Sequence, residues 1–209
     1  MQKKMAEFEI VVSKMMRTIL VLTIPASIGI CFVAKDIVLI MFGKEFLQST
    51  QIIQILSPLI IFMALSGGIG AQILQTTNHE RKYLISVCVG ATMNLILNSV
   101  LIYLFKQNGA AIASTITEIV VTLIMFLQCA KIMKPKIEKK FIGEVLVAVV
   151  MMTVGLFICQ SLIKEVNTIA RLIIEVEVGG AIYIGALLAL KNKETVQAIK
   201  ILKKKICKN

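Results

Sequence analysis

Six long apolar runs separated by short polar gaps set the pattern of the chain. They are Thr18–Ala34, Gln51–Leu74, Tyr83–Phe105, Gly109–Ala130, Ile142–Ile163 and about Ile169–Leu190. The first extends through Ile37–Phe42 after a break at Lys35-Asp36. Each run reaches the roughly 20 residues that a helix needs to cross a bilayer core of about 30 Å. The runs are continuous rather than alternating, which excludes the short two-sided strands of a membrane barrel. Backbone polar groups in lipid must be satisfied within their own segment, so the runs predict helices. The expectation is an all-α integral membrane protein with six transmembrane helices.

Flanking residues extend the picture. Met5, Phe8, Val12 and Met15 recur at steps of three and four, so residues 1–16 read as an interfacial amphipathic helix. Residues 17–190 form the six-helix body, and 191–209 a basic tail with Val196, Ile199, Leu202 and Ile206 at helical spacing. Anionic inner-leaflet lipid is the expected partner of both ends. Seventeen mixed-charge residues precede the first run and no A-x-A site follows it, unlike a secretory signal. The longest outer loop is expected at about Lys35–Thr50.

Composition agrees with this class. Hydrophobic residues make up 57% of the 209 and charged residues only 17%, with a mean hydropathy of +0.87. Six spans leave no room for a large soluble catalytic part. The net charge of +11 would suggest nucleic acid in a soluble protein, but no reading helix, zinc site or stacking platform is visible, so no nucleic-acid partner is expected. The gaps explain the charge better. Eighteen Lys and Arg fall on one side of the six runs and five on the other. That bias puts both termini in the cytoplasm. The five cysteines are far apart, and four lie in apolar runs where Cys acts as a small hydrophobe. No cofactor or metal is implied.

Polar groups inside membrane spans are costly, so they are the first place to seek function. Gly90, Asn94 and Asn98 share one face of the third run, and Ser114, Glu118 and Thr122 one face of the fourth. Glu118 lies about 14 Å along the helix from Gly109, near mid-bilayer. It must be neutral there, or face water or a partner. The asparagines serve either interhelical bonding or a cavity. Glu175 and Glu177 lie too far apart around a helix to share a face, and Arg171 is placed to pair with Glu175. Pro25, Pro58, Gly67 and Gly68 are candidate hinges, or simply close-packing positions. Gln72 lies at the inner end of the second run, ahead of His79, Arg81 and Lys82. His79, in a charged loop, reads as solvated. No nucleophile motif, carboxylate pair or phosphate loop is present, which argues for a carrier or channel rather than an enzyme.

Five segments in order carry a resemblance. They are Ile24-Pro25-Ala26-Ser27-Ile28-Gly29, Ile37 to Phe46, Ile53-Gln54-Ile55-Leu56-Ser57-Pro58, Asn94-Leu95-Ile96-Leu97-Asn98, and Gly109 to Glu118. In that order they resemble the second half of bacterial polysaccharide repeat-unit flippases of the O-antigen and capsule type. These belong to the multidrug/oligosaccharidyl-lipid/polysaccharide exporter superfamily. The resemblance covers residues 17–130; residues 131–209 add topology alone.

The resemblance implies two six-helix lobes around a central cavity in the bacterial inner membrane, and a lipid-linked oligosaccharide as cargo. Undecaprenyl-pyrophosphate-linked repeats would pass from the inner to the outer leaflet for surface polysaccharide. Arg17, Arg81 and Lys82 would attract the pyrophosphate. Asn94, Asn98, Gln72 and Glu118 would line the cavity. Such proteins have twelve to fourteen helices, so six correspond to the second lobe, which pairs with an N-terminal lobe or a second copy. Two alternatives stay open: a lobe of a drug or cation exporter, and a non-transporting fragment or assembly subunit.

Overall fold

The structure is a computed structural model that describes residues 2–133, 137–163, 166–197 and 200, with side chains from residue 7 on. Its elements are helices throughout. Helix α1 runs Gln2–Met41, followed by a 3-10 turn at Lys44–Phe46. Then come α2 (Ser49–Leu56), α3 (Leu59–Leu65), a π-turn (Ser66–Ala71) and α4 (Gln72–Thr76). Helices α5 (Glu80–Ala130), α6 (Lys139–Leu162) and α7 (Thr168–Ala189) complete the described fold.

Five helical stretches are long and apolar enough to cross a membrane, and one of them, α5, has 51 residues. At 1.5 Å per residue a straight α5 would measure roughly 76 Å, more than twice a bilayer core. It does not run straight. Lys106 adopts φ 53° and ψ −127°, which folds the helix back on itself. The contacts across the fold are nested: Ser86 with Gln128, Gly90 with Val121, Asn94 with Thr117, and Leu101 with Gly109. Numbers rise on one arm as they fall on the other, so the arms are antiparallel and supply two crossings. The six predicted spans are thus present.

The first and second spans depart from the expected boundaries. Helix α1 continues through Lys35 and Asp36 without a break, and Asp36 is buried. The loop expected at Lys35–Thr50 therefore shortens to residues 42–48. No boundary falls at residue 16 either. Phe8, Val12 and Met16 pack with Ile69, Ile73, Val121, Met125 and Cys129 in one core cluster. The amphipathic face of this segment thus meets protein, while Ile10 and Val11 remain exposed. Met5, Lys134, Lys136, Lys164, and the tail positions Ile199, Leu202 and Ile206 lie outside the described residues or side chains.

The second span is broken at Pro58 and again at the π-turn. Proline lacks an N–H and leaves the carbonyl four residues back without its helical donor. Ser57 Oγ donates to that carbonyl, Gln54 O, at 3.0 Å. Neighbouring helices satisfy other acceptors along the break. Ser27 Oγ of α1 donates to Ser57 O at 2.8 Å, Thr115 Oγ1 of α5 to Ile55 O at 3.0 Å, and Thr122 Oγ1 to Phe62 O at 3.2 Å. These bonds allow an interrupted helix to exist at membrane depth. Pro25, by contrast, sits inside a helix that continues past it.

The chain divides into two compact units, Met1–Lys136 and Ile137–Asn209. In the second, α6 and α7 form an antiparallel pair. Gly179 lies against Leu156, and Gly155 against Ile182. Glu175 is buried in this pair, whereas Glu177 is exposed. Across both units, large apolar side chains such as Leu95, Phe157 and Leu162 stay mostly exposed. A soluble monomer rarely leaves so much contiguous apolar surface uncovered, and lipid is its natural solvent. The chain is an all-α, multi-pass integral membrane protein.

Candidate functional site

The first unit contains a cleft of about 380 Å³ between the π-turn and the two arms of α5. Ser66, Gly67 and Ala71 line it from the π-turn, Tyr83, Gly90 and Asn94 from the first arm, and Thr117, Glu118 and Val121 from the second. Local sequence explains the shape. Gly90 brings the arms so close that a Cβ there would overlap Val121. Gly67 leaves open space where a side chain would stand.

The polar groups are bonded to one another. Ser66 Oγ donates to Glu118 Oε1 at 2.5 Å. The Thr122 hydroxyl shares its one proton between the Glu118 carbonyl at 2.7 Å and Phe62 O at 3.2 Å. Asn98 Nδ2 donates to Asn94 Oδ1 at 2.7 Å, and Asn94 Nδ2 reaches Thr117 Oγ1 at a long 3.4 Å. The cleft is thus lined by a carboxyl group, three hydroxyl-bearing side chains and an amide, flanked by apolar Val87, Val121 and Met125. Such a set can both accept hydrogen bonds from and donate them to a polyhydroxylated ligand.

The sequence-derived candidates separate in space. Glu118 and Asn94 meet in the cleft, and Asn98 stands behind Asn94 through its hydrogen bond. Gly67 lines the cleft, and Gly68 packs toward Ile19 instead. Gln72 does not face Glu118. It borders a small hollow of about 50 Å³ with Phe8, Val12 and Met15. Its neighbours Ile73 and Leu74 take the buried positions, in one cluster with Val121, Met125 and Cys129 of α5. Arg17 is half-buried on α1, and Arg81 and Lys82 stand at the start of α5, immediately before the cleft residue Tyr83. None of these three cations lines the cleft itself. Pro25 and Pro58 lie outside it too.

Ser66, Thr117 and Tyr83 complete the cleft and are not selected by the argument from intramembrane polarity. A serine ahead of two glycines, and a threonine beside a lone glutamate, are the signals that point to them. His79 is half-buried, with its Nδ1 2.8 Å from Thr77 O, in a turn where Asn78 takes φ 57°. It is tied to the turn rather than to the cleft. Among the described residues no group of three or more His, Cys, Asp or Glu side chains is placed to hold a metal ion.

The chain matches no protein-family profile. It is 29% identical over 177 residues to a probable low-salt glycan biosynthesis flippase of Haloferax volcanii, a match covering 85% of this chain and 37% of that protein. It is 26% identical over 187 residues to the lipid II flippase MurJ of Bacillus subtilis, covering 83% and 34% respectively. A putative O-antigen transporter of Escherichia coli is 31% identical over 94 residues, 45% of this chain and 23% of that one. The chain spans about a third of the length of the first two relatives. All three are named for transport and none for catalysis. By sequence, this chain is similar to flippases of glycan and lipid-linked substrates.

Proposed function

We propose that the chain acts as the second six-helix lobe of a flippase for undecaprenyl-pyrophosphate-linked oligosaccharide repeat units in the bacterial inner membrane. The observation that carries this reading is the Glu118 cleft, a polar site walled by membrane-spanning helices. Sugar hydroxyls are donors and acceptors at once, and Glu118, Ser66, Asn94 and Thr117 offer both. Arg81 and Lys82 precede the cleft residue Tyr83 in sequence, and with Arg17 they supply positive charge for the pyrophosphate. The lysine distribution favours cytoplasmic termini and contact with anionic inner-leaflet lipid. An N-terminal lobe or a second copy closes the open side of the cleft. A cationic drug as cargo has one cleft carboxylate in its favour, Glu118, and nothing further.

Complementation tests the reading. A flippase-deficient strain receives this chain together with a matching first lobe, and surface polysaccharide is measured. Restored polysaccharide, lost again on Glu118→Ala, is the expected result. No restoration by the intact two-lobe protein sinks the proposal. Glu118-dependent efflux of a cationic dye without polysaccharide would replace it with the exporter reading.

A further inference from the structure

The π-turn Ser66–Ala71 carries one residue more than a regular helix accommodates at that point. Such turns persist only where their surroundings hold them. Here the second arm of α5 supplies the hold from three places. Ser66 Oγ is bonded to Glu118 Oε1 at 2.5 Å, Phe62 O accepts Thr122 Oγ1 at 3.2 Å, and Gly70 O accepts the Cys129 thiol at 3.8 Å. Glycine permits the approach: a Cβ at Gly70 would stand 3.0 Å from Met125.

The three holds differ in kind. Those of Thr122 and Cys129 end on backbone carbonyls outside the cleft lining. The Ser66–Glu118 bond joins two side chains that both line the cleft. We infer that this bond is a latch: Glu118 keeps the π-turn in register through Ser66, and a donor that takes Glu118 from the cleft side releases it. The hydroxyls of a sugar are donors of that kind, a step that rests on the cleft being the cargo site. Once Ser66 is free, the extra residue shifts along the helix. Each residue of shift rotates the flanking segment by about 100°. Gly67 has open space around it and does not resist the movement.

The test uses the full chain in detergent with no cargo. Cys31, Cys88, Cys159 and Cys207 are replaced by alanine; Cys129, only 3% exposed, is kept. Gly67→Cys then reports the cleft through its rate of reaction with a charged, water-soluble thiosulfonate. Deletion of Gly68 removes the extra residue and gives the rate of the shifted register, expected to be at least fivefold slower. Glu118→Ala should approach that slow rate, whereas Glu118→Gln, which keeps an oxygen for Ser66, should stay within twofold of the parent. Ser66→Ala should behave as Glu118→Ala does, and it is small enough to fold if the glutamate variant does not. The inference is overturned if both alanine variants react at the parental rate, or if deleting Gly68 leaves the rate unchanged. Polysaccharide is not read here, so failure of the latch and failure of the complementation test are separate results.

Discussion

Gly90 faces Val121 across the α5 hairpin so closely that any side chain at position 90 would overlap the valine Cγ2. This contact fixes how deeply the two arms pack, and through it the width of the cleft between Asn94 and Glu118. Gly90→Ala is expected to lower stability by about 1–3 kcal/mol through overpacking. The thermal midpoint of the full chain in detergent measures it. Because the obstructing atom belongs to a side chain, Val121→Ala in the same molecule should recover most of the loss.

The hairpin tip behaves differently, since its obstruction is backbone. A Cβ at Gly109 would run into the carbonyl of Leu101 and the amide of Ile102. No side-chain replacement can relieve that, so Gly109→Ala should be more damaging than Gly90→Ala and have no partner rescue. Gly143→Ala, with open space around the added methyl, is the control and should be neutral or stabilising by up to about 1 kcal/mol. Lys106, meanwhile, holds φ 53° and ψ −127° with a full side chain. Lys106→Gly relieves that backbone cost of about 1–3 kcal/mol and should raise the thermal midpoint.

Much of this architecture was legible in the apolar runs because lipid demands long uninterrupted helices. The hairpin was visible as two runs parted by Lys106-Gln107-Asn108. The continuity of α1 was not, because hydropathy treats Lys35-Asp36 as polar wherever it lies and does not register that Asp36 is buried. Of the cleft, spacing within one run could align Asn94 with Asn98 and identify Glu118. It could not bring Ser66 to Glu118, since that contact joins residues 52 apart. Nor could it place Gln72, since the hollow that Gln72 borders is built with Phe8, Val12 and Met15, far earlier in the chain.

The end of α7 gives a prediction in the second unit. Lys191 takes φ 55°, and the Asn192 N–H returns to Leu187 O at 2.9 Å, which closes the helix. Asn192, only 1% exposed, then accepts from the Thr195 N–H at 3.3 Å and donates to Glu144 Oε2 at 2.7 Å. One side chain thus caps the next helical turn and ties it to α6. Asn192→Ala should cost about 1–3 kcal/mol, because a cap is lost and the Glu144 carboxylate loses a donor. Hydrogen exchange at the Thr195 and Val196 amides should quicken, while amides in the middle of α6 keep their protection.

A last prediction separates the polar residues that sequence alone ranks together. Asn94 lines the Glu118 cleft, and Gln72 borders a different hollow beside Phe8 and Val12. If the cleft carries cargo, Asn94→Ala should cut the surface polysaccharide restored by the two-lobe protein at least several-fold, and Gln72→Ala should leave it near the parental level. Asn98→Ala should fall between them, since Asn98 acts on the cleft by holding Asn94 Oδ1 at 2.7 Å. Membrane levels of each variant, read by immunoblot, tell lost transport from lost protein. Equal losses for Asn94→Ala and Gln72→Ala at equal protein levels would count against the cleft as the site that distinguishes them.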